Sequence, residues 1–380
     1  VTADGRSSLR EIAGLFLRLG ATAFGGPAVH VAMMEDEVVR RRRWLNEAAF
    51  LDLVGATQLI PGPNSTELAL HIGWSRRRGA GLLVAGGAFI LPSMLLTGGL
   101  GAVYVRYGAL PSARQVLYGV KPVLLAVVVQ AVVGMAPKAA RTRRLQALGV
   151  AALALAALGA HELAVLLGCG AAATVTARDE GGEGALRQVV PVVPVVAGGA
   201  AGAATVPGVF GVFLKAGSVL FGSGYVLLAL LRADLVERRH WLTEGQLLDA
   251  IAAGQVTPGP VFSTATFVGY VLAGPAGALA ATVGIFLPAF VLVALSGPLV
   301  PRMRASARAG AFLDGVNVAS LALMAVVTFQ LGRAALVDGP SVALALGSLA
   351  LLWRWRVNTA WLVLGGAAVG GALRGLGLTR

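Results

Sequence analysis

The sequence is poor in charge and has almost no cysteine. Only 13% of its 380 residues are charged, about half the roughly 25% of an average soluble domain, while 57% are hydrophobic. Such a chain cannot clothe itself in water-facing side chains, and it reads as an all-α polytopic membrane protein embedded in the lipid bilayer. The one cysteine, Cys169, lies in an Ala/Gly/Leu run, which excludes an internal disulfide and a thiolate metal cluster. Four histidines, His30, His71, His161 and His240, share no ligand spacing, so no metal site is expected. Neither they nor the cysteine supply ligands for haem, flavin or a metal, so the chain reads as a non-enzyme without a cofactor. It lacks a glycine-lysine phosphate loop, which argues against ATP-driven transport by this chain alone. The polar opening decapeptide has no signal-peptide pattern. Acidic residues are also scarce, 18 against 31 Lys and Arg. The arginines fall in short clusters between apolar runs, with no basic face and no interleaved aromatics. They are topology signals, not a nucleic-acid surface.

What the sequence does contain is a repeated interruption. Gln58-Leu-Ile-Pro-Gly-Pro-Asn-Ser-Thr66 returns as Gln255-Val-Thr-Pro-Gly-Pro-Val-Phe-Ser-Thr264. Proline lacks an amide hydrogen and breaks a helix interior, so each copy predicts a break at membrane depth. Open backbone there is tolerated only where protein buries it or a wet cavity receives it, and paired breaks are the best sequence pointer to a transporter's binding site. The duplication is wider than the motif. Sliding residues 16–66 onto 213–263 without a gap gives 20 identities in 51, including Trp44/Trp241, Asp52/Asp249, Gln58/Gln255 and both Pro-Gly-Pro runs. A one-residue shift then aligns Leu91-Pro92 with Leu287-Pro288. We therefore expect a first repeat over 1–177, a linker with a membrane span over 178–211, and a second repeat over 212–380.

Arginine placement bears on orientation. Residues 47–60 are too short for a roughly 30 Å hydrocarbon core at 1.5 Å per helical residue. If 47–75 crossed once, Arg40–Arg43 and Arg76–Arg78 would lie on opposite sides, against the positive-inside bias. A re-entrant hairpin puts both inside, and the linker span then inverts the second repeat. The expected fold is two inverted homologous repeats with broken or re-entrant helices.

Several residues are candidates for chemistry. Gly62, Asn64, Ser65 and Thr66, with Gly259, Ser263 and Thr264, stand at helix starts, where unpaired N–H groups and the dipole form an anion site. Gly25 and Gly26, matched by Gly222 and Ser223, form a second pair of breaks that admit close backbone approach; helix packing would use them equally well. Asp52 and Asp249 lie inside apolar helices, where a carboxylate is by default a functional group, for proton coupling or as a structural ion pair. Lys121, whose counterpart is Asn317, would contact an anion or pair with Asp52. Gln58 and Gln255 could donate to an oxyanion or to packing contacts, and His30 beside the first break is a candidate for proton coupling. Glu47 and Glu244 read as acidic first turns behind the N-caps Asn46 and Thr243.

The run Phe24-Gly-Gly-Pro, Arg43-Trp-Leu, Phe50-Leu-Asp, Gln58-Leu-Ile-Pro-Gly-Pro-Asn, Ile72-Gly73 and Phe89-Ile-Leu-Pro92 resembles the chromate ion transporter family, and the second half resembles its second domain. The resemblance covers nearly the whole chain. It implies an inner-membrane protein that exports chromate and confers resistance, with sulfate as related or competing anion and the proton gradient as the drive. Sulfate or other oxyanion uptake and an anion channel are the alternatives. By position, the family's motif residues include Gly25, Gly26, Pro27, Trp44, Asp52, Gln58, Pro61 to Asn64, Gly222, Trp241, Asp249, Gln255 and Pro258 to Pro260. The second copy departs at Ser223-Gly224 and at Val261, so the first half is expected to carry more of the direct ligand contacts. The chain is also compatible with a homo-oligomer.

Overall fold

A computed structural model describes residues 7–23, 27–57, 60–108, 111–176, 203–220, 226–296, 307–355, 357 and 359–375. Gly25, Gly26, Gln58, Gly222 and Ser223 lie outside them. The described residues are helical and hold no strand. In the first repeat the helices are α1 (Leu9–Thr22), α2 (Pro27–Glu35), α3 (Glu47–Ala56), α4 (Asn64–Tyr107), α5 (Pro111–Ala139), α6 (Arg143–Ala157) and α7 (Glu162–Thr176). Their counterparts are α8 (Val206–Val219), α9 (Val226–Leu231), α10 (Glu244–Val256), α11 (Thr264–Ser296), α12 (Ala307–Ala335), α13 (Gly339–Trp355) and α14 (Thr359–Gly375).

Local signals start these helices where the sequence suggests. Ser8 and Glu11 form a capping box on α1, Asn46 accepts from the Ala49 amide at 2.8 Å, and Thr243 with Gln246 boxes α10. After α2 and α9 the chain widens into a π-helical turn, Asp36–Arg41 and Arg232–Arg238, and each turn ends on a left-handed residue, Arg43 (φ 52°) and His240 (φ 53°). The charges there repeat as well. Glu37 is held by Arg18, Arg41 and Arg42, and Asp234 by Lys215 and Arg238.

The expected hairpin is present. α4 leaves helical geometry at Arg77 and Arg78, so its first 13 residues span only about 20 Å. Their far end returns to the start of α3: an Arg76 guanidinium nitrogen donates to the Trp44 carbonyl at 3.4 Å, and that guanidinium lies 5.5 Å from the Trp44 ring centroid. Ser7 receives Arg76 at its hydroxyl and Arg77 at its carbonyl, closing the same end. The fold-back is tight because Gly73 and Gly81 face each other across the bend, leaving no room for a Cβ on either. α11 bends likewise at Ala273 and Gly274, with Gly269 against Gly277.

Packing between repeats is reciprocal. α1 lies on α4, α8 on α11, and α4 on α11 at the centre. Further out, α5 packs against α13 and α14, whereas α12 packs against α6 and α7. Each repeat therefore embraces the last two helices of the other. Tyr118 on α5 donates to Asp338 before α13, and Arg141 pairs with Asp314 on α12, so polar contacts cross the same boundary. Four stretches among the described residues are long and apolar enough to cross a membrane: Asn64–Tyr107, which includes the hairpin arm, Tyr118–Pro137, Val261–Ser296 and Gly310–Arg333. Leu83, Leu95, Leu279 and Leu295 stand exposed on α4 and α11, as a lipid-facing surface requires. This is an all-α, multi-pass membrane protein built of two repeats.

Candidate functional site

The two Pro-Gly-Pro breaks meet at the centre, and they meet crosswise. The Gly62 amide donates to the Leu220 carbonyl at 2.6 Å, and the Gly259 amide donates to the Ala23 carbonyl at 3.0 Å. Leu220 and Ala23 close α8 and α1, immediately before the second pair of breaks predicted from sequence. Each proline break therefore docks onto the C-terminal end of the other repeat's first helix. Both glycines have positive φ, 144° at Gly62 and 92° at Gly259. A side chain at Gly62 would strike Glu67 Oε1, and one at Gly259 would approach the Gly20 carbonyl at 2.9 Å. Only glycine fits there.

The polar side chains beside the breaks do not cap the helices that start there. α4 starts on Pro63 with no side-chain cap, and its first turn is closed by the Thr66 and Glu67 amides donating to the Pro63 carbonyl, at 2.7 and 2.9 Å. Asn64 Oδ1 and Thr66 Oγ1 are buried without a hydrogen-bond partner among the described residues, and Ser65 is buried beside them. In the second copy Ser263 donates to Pro260 O and Ser93 Oγ, and Thr264 donates to Val261 O. The first repeat thus keeps its polar atoms uncommitted, while the second ties them to protein. Gln255 leaves its Nε2 unpartnered and, with Thr264, Val261 and four apolar residues of α9 and α10, lines a cavity of about 20 Å³. That is room for one water.

The expected Lys121 partner is corrected. Lys121 Nζ lies 3.4 Å from Asp249 Oδ1, in the opposite repeat, and Tyr104 donates to Asp249 Oδ2 at 2.9 Å. Asp249 is buried, whereas its sequence match Asp52 is exposed. The two acids are therefore equivalent in sequence and not in setting. The crossed helix arrangement is the reason, since it delivers α5 of the first repeat to α10 of the second. Asn317 is half-buried on α12. His30 is buried; its Nε2 is 3.1 Å from Ala23 O, its Nδ1 has no partner among the described residues, and its ring meets Phe89 edge-on.

Sequence reasoning passed over the most buried acid among the described residues. Glu67 has no solvent exposure, and neither of its oxygens has a hydrogen-bond partner among the described residues. His71, one turn later on the same helix face, is also buried with Nε2 unpartnered. Glu67 has no acidic match in the second repeat, where Ser263 and Thr264 stand after the break. An acid and a histidine four residues apart in an apolar run were the available signal.

The Chromate transporter family model matches residues 10–174 and again 208–371, both halves of this arrangement. The chain belongs to the chromate transporter family. Among its relatives, the "Chromate transport protein" of Cupriavidus metallidurans is 31% identical over 369 residues, covering 95% of this chain and 92% of that protein. The protein of the same description from Pseudomonas aeruginosa is 31% identical over 360 residues, covering 90% and 86%. An "Uncharacterized transporter" of Methanocaldococcus jannaschii is 25% identical over 339 residues, covering 85% and 84%. No solved structure matches the chain. Both family matches contain a proline break, a glycine break and the helices that the other repeat receives.

Proposed function

We propose that this member of the family is a secondary active transporter that exports chromate, a sulfate-like tetrahedral dianion, across the inner membrane and so gives chromate resistance, with the proton gradient supplying the drive. The observation that carries the reading is the crossed docking of the breaks, which gathers interrupted backbone from both repeats at the centre of the bundle. The names of two well-covered relatives, both chromate transport proteins, support the substrate class. Gln255 and Thr264 line a cavity with room for about one water, which places a polar donor beside the second break. In this reading the repeats, over 1–177 and 212–380 with the linker 178–211 inverting the second, rock about the α4–α11 contact and present the breaks to each side in turn. Asn64, Ser65 and Thr66, on the turn that Gly62 permits, supply most of the anion contacts, together with Gly25, Gly26 and Gln58. The second copy supplies fewer, because Ser263 and Thr264 are bonded to protein. Lys121 gives positive potential at the edge of the site while held by Asp249. Labelled chromate flux into proteoliposomes tests the reading: saturable, sulfate-competed flux is expected, and linear flux that sulfate leaves unchanged would overturn it.

A further inference from the structure

We propose that Glu67 is the proton-binding group of this transporter, and that its protonation is what allows a dianion to settle at the first break; this rests on the chromate reading above. Glu67 is fully buried with both oxygens unpartnered among the described residues, a state in which an ionised carboxylate is strongly disfavoured. It lies against the Pro-Gly-Pro turn, since a Cβ on Gly62 would strike Glu67 Oε1 and stand 3.3 Å from the Ala289 Cβ.

The second repeat shows what would have paired it. There Ser263, on the first turn after Pro-Gly-Pro, donates to Ser93 Oγ on α4 at 2.6 Å. Ser93 aligns with Ala289 of α11, and Ser93 borders Gly259 as Ala289 borders Gly62. One repeat thus has a hydroxyl facing a hydroxyl. The other has a carboxyl facing a methyl.

Among the described residues, no hydrogen bond or ion pair gives Glu67 a counter-charge. Tyr270 is the one titratable residue of α11, and it packs at Gly101, far along the helix pair. On α1, Arg18 is engaged by Glu37; on α8, Lys215 is engaged by Asp234. His30 of α2 is turned to Ala23 O and Phe89, Asp52 of α3 is exposed, and Asp249 of α10 is held by Lys121 and Tyr104. On α4 itself the group one turn away is His71, and beyond it Ser75 is exposed; Arg76 and Arg77 are turned to Ser7 and Trp44, Arg78 to Trp74, Tyr104 to Asp249, and Arg106 to Tyr107 at the far end of the helix. Glu67, His71 and Ser75 are successive positions of one helix face, running from the break toward the Arg76–Arg78 end.

The consequence is electrostatic. An ionised Glu67 within a turn of Asn64 to Thr66 repels a dianion, and a neutral one does not. Proton and anion therefore favour each other's binding. One proton on one dianion leaves a net negative charge, so the electrical part of the proton gradient, negative inside, drives the pair outward while its pH part opposes the step.

The test is chromate binding by the purified full-length protein, measured by calorimetric titration between about pH 6 and 8, for wild type, Glu67→Gln and Ala289→Ser. Chromate itself titrates in this range, so the readout is the difference from Glu67→Gln. Wild-type affinity should fall more steeply than that of Glu67→Gln, by up to about tenfold per pH unit once Glu67 ionises. Ala289→Ser gives the carboxylate a hydroxyl partner and should move the wild-type fall to lower pH. Parallel pH dependence in wild type and Glu67→Gln would overturn the proposal, as would an Ala289→Ser curve superimposed on wild type. Absence of binding by the wild type at every pH would instead overturn the chromate reading, and this proposal with it.

Discussion

Lys121 and Asp249 form an ion pair drawn from different repeats, 3.4 Å apart, with the acid almost wholly buried. Removing the cation leaves a buried carboxylate with Tyr104 as its remaining donor, so Lys121→Ala should cost about 3 kcal/mol, the low end for breaking a buried pair, because Lys121 keeps some exposure. Thermal unfolding in detergent checks this, and adding Asp249→Asn to Lys121→Met should recover most of the loss. At Gly62 the demand is conformational. Gly62→Ala meets positive φ and the Glu67 carboxyl at once, so it should destabilise by roughly 1–3 kcal/mol and abolish transport. Gly211→Ala on α8, where a methyl has open space, should leave both intact.

Among elements, the broken helices were the most legible in sequence. Proline inside an apolar run forces an interruption, and the arginines at 40–43 and 76–78 argue for a hairpin whose ends meet, as Arg76 and Trp44 do. The caps at Asn46 and Thr243 were equally readable, being local. What sequence could not give is which hydroxyl faces which. Ser93 and Ser263 are 170 residues apart, and only the α4–α11 packing brings them together. Lys121 was expected at an anion or at Asp52, and the exchange of outer helices brings it to Asp249. Glu67 was missed because a duplicated chain draws attention to matched residues, while asymmetry here marks the unusual one. The bend itself makes a prediction: Gly73→Val places a branched side chain on the Gly81 carbonyl, should prevent the hairpin from closing, and should speed trypsin cleavage at Arg77, which is exposed but held to Ser7, relative to wild type.

Across the whole molecule, the repeats are interlocked. α5 rests on α13 and α14 while α12 rests on α6 and α7, so a half cut off at the linker loses the surfaces that cover its own outer helices. Residues 1–177 and 178–380, expressed separately, should each be degraded or aggregate, whereas co-expression should yield a complex that purifies through a tag on either half. Stable, separately purifying halves would contradict the exchanged arrangement. The crossed amide contacts at Gly62 and Gly259 add a further coupling, because neither break can move without the helix end of the other repeat. That linkage suits two repeats that must change together during one transport cycle.

The measurement that bears most directly on this account is chromate flux into proteoliposomes holding the wild-type protein, with and without acid imposed on the side that supplies chromate. The account predicts saturable, sulfate-competed uptake that accelerates when that side is acidified and loses the acceleration in Glu67→Gln. Flux of equal rate with and without the gradient, or one that never saturates, would contradict a proton-coupled carrier built on the crossed breaks.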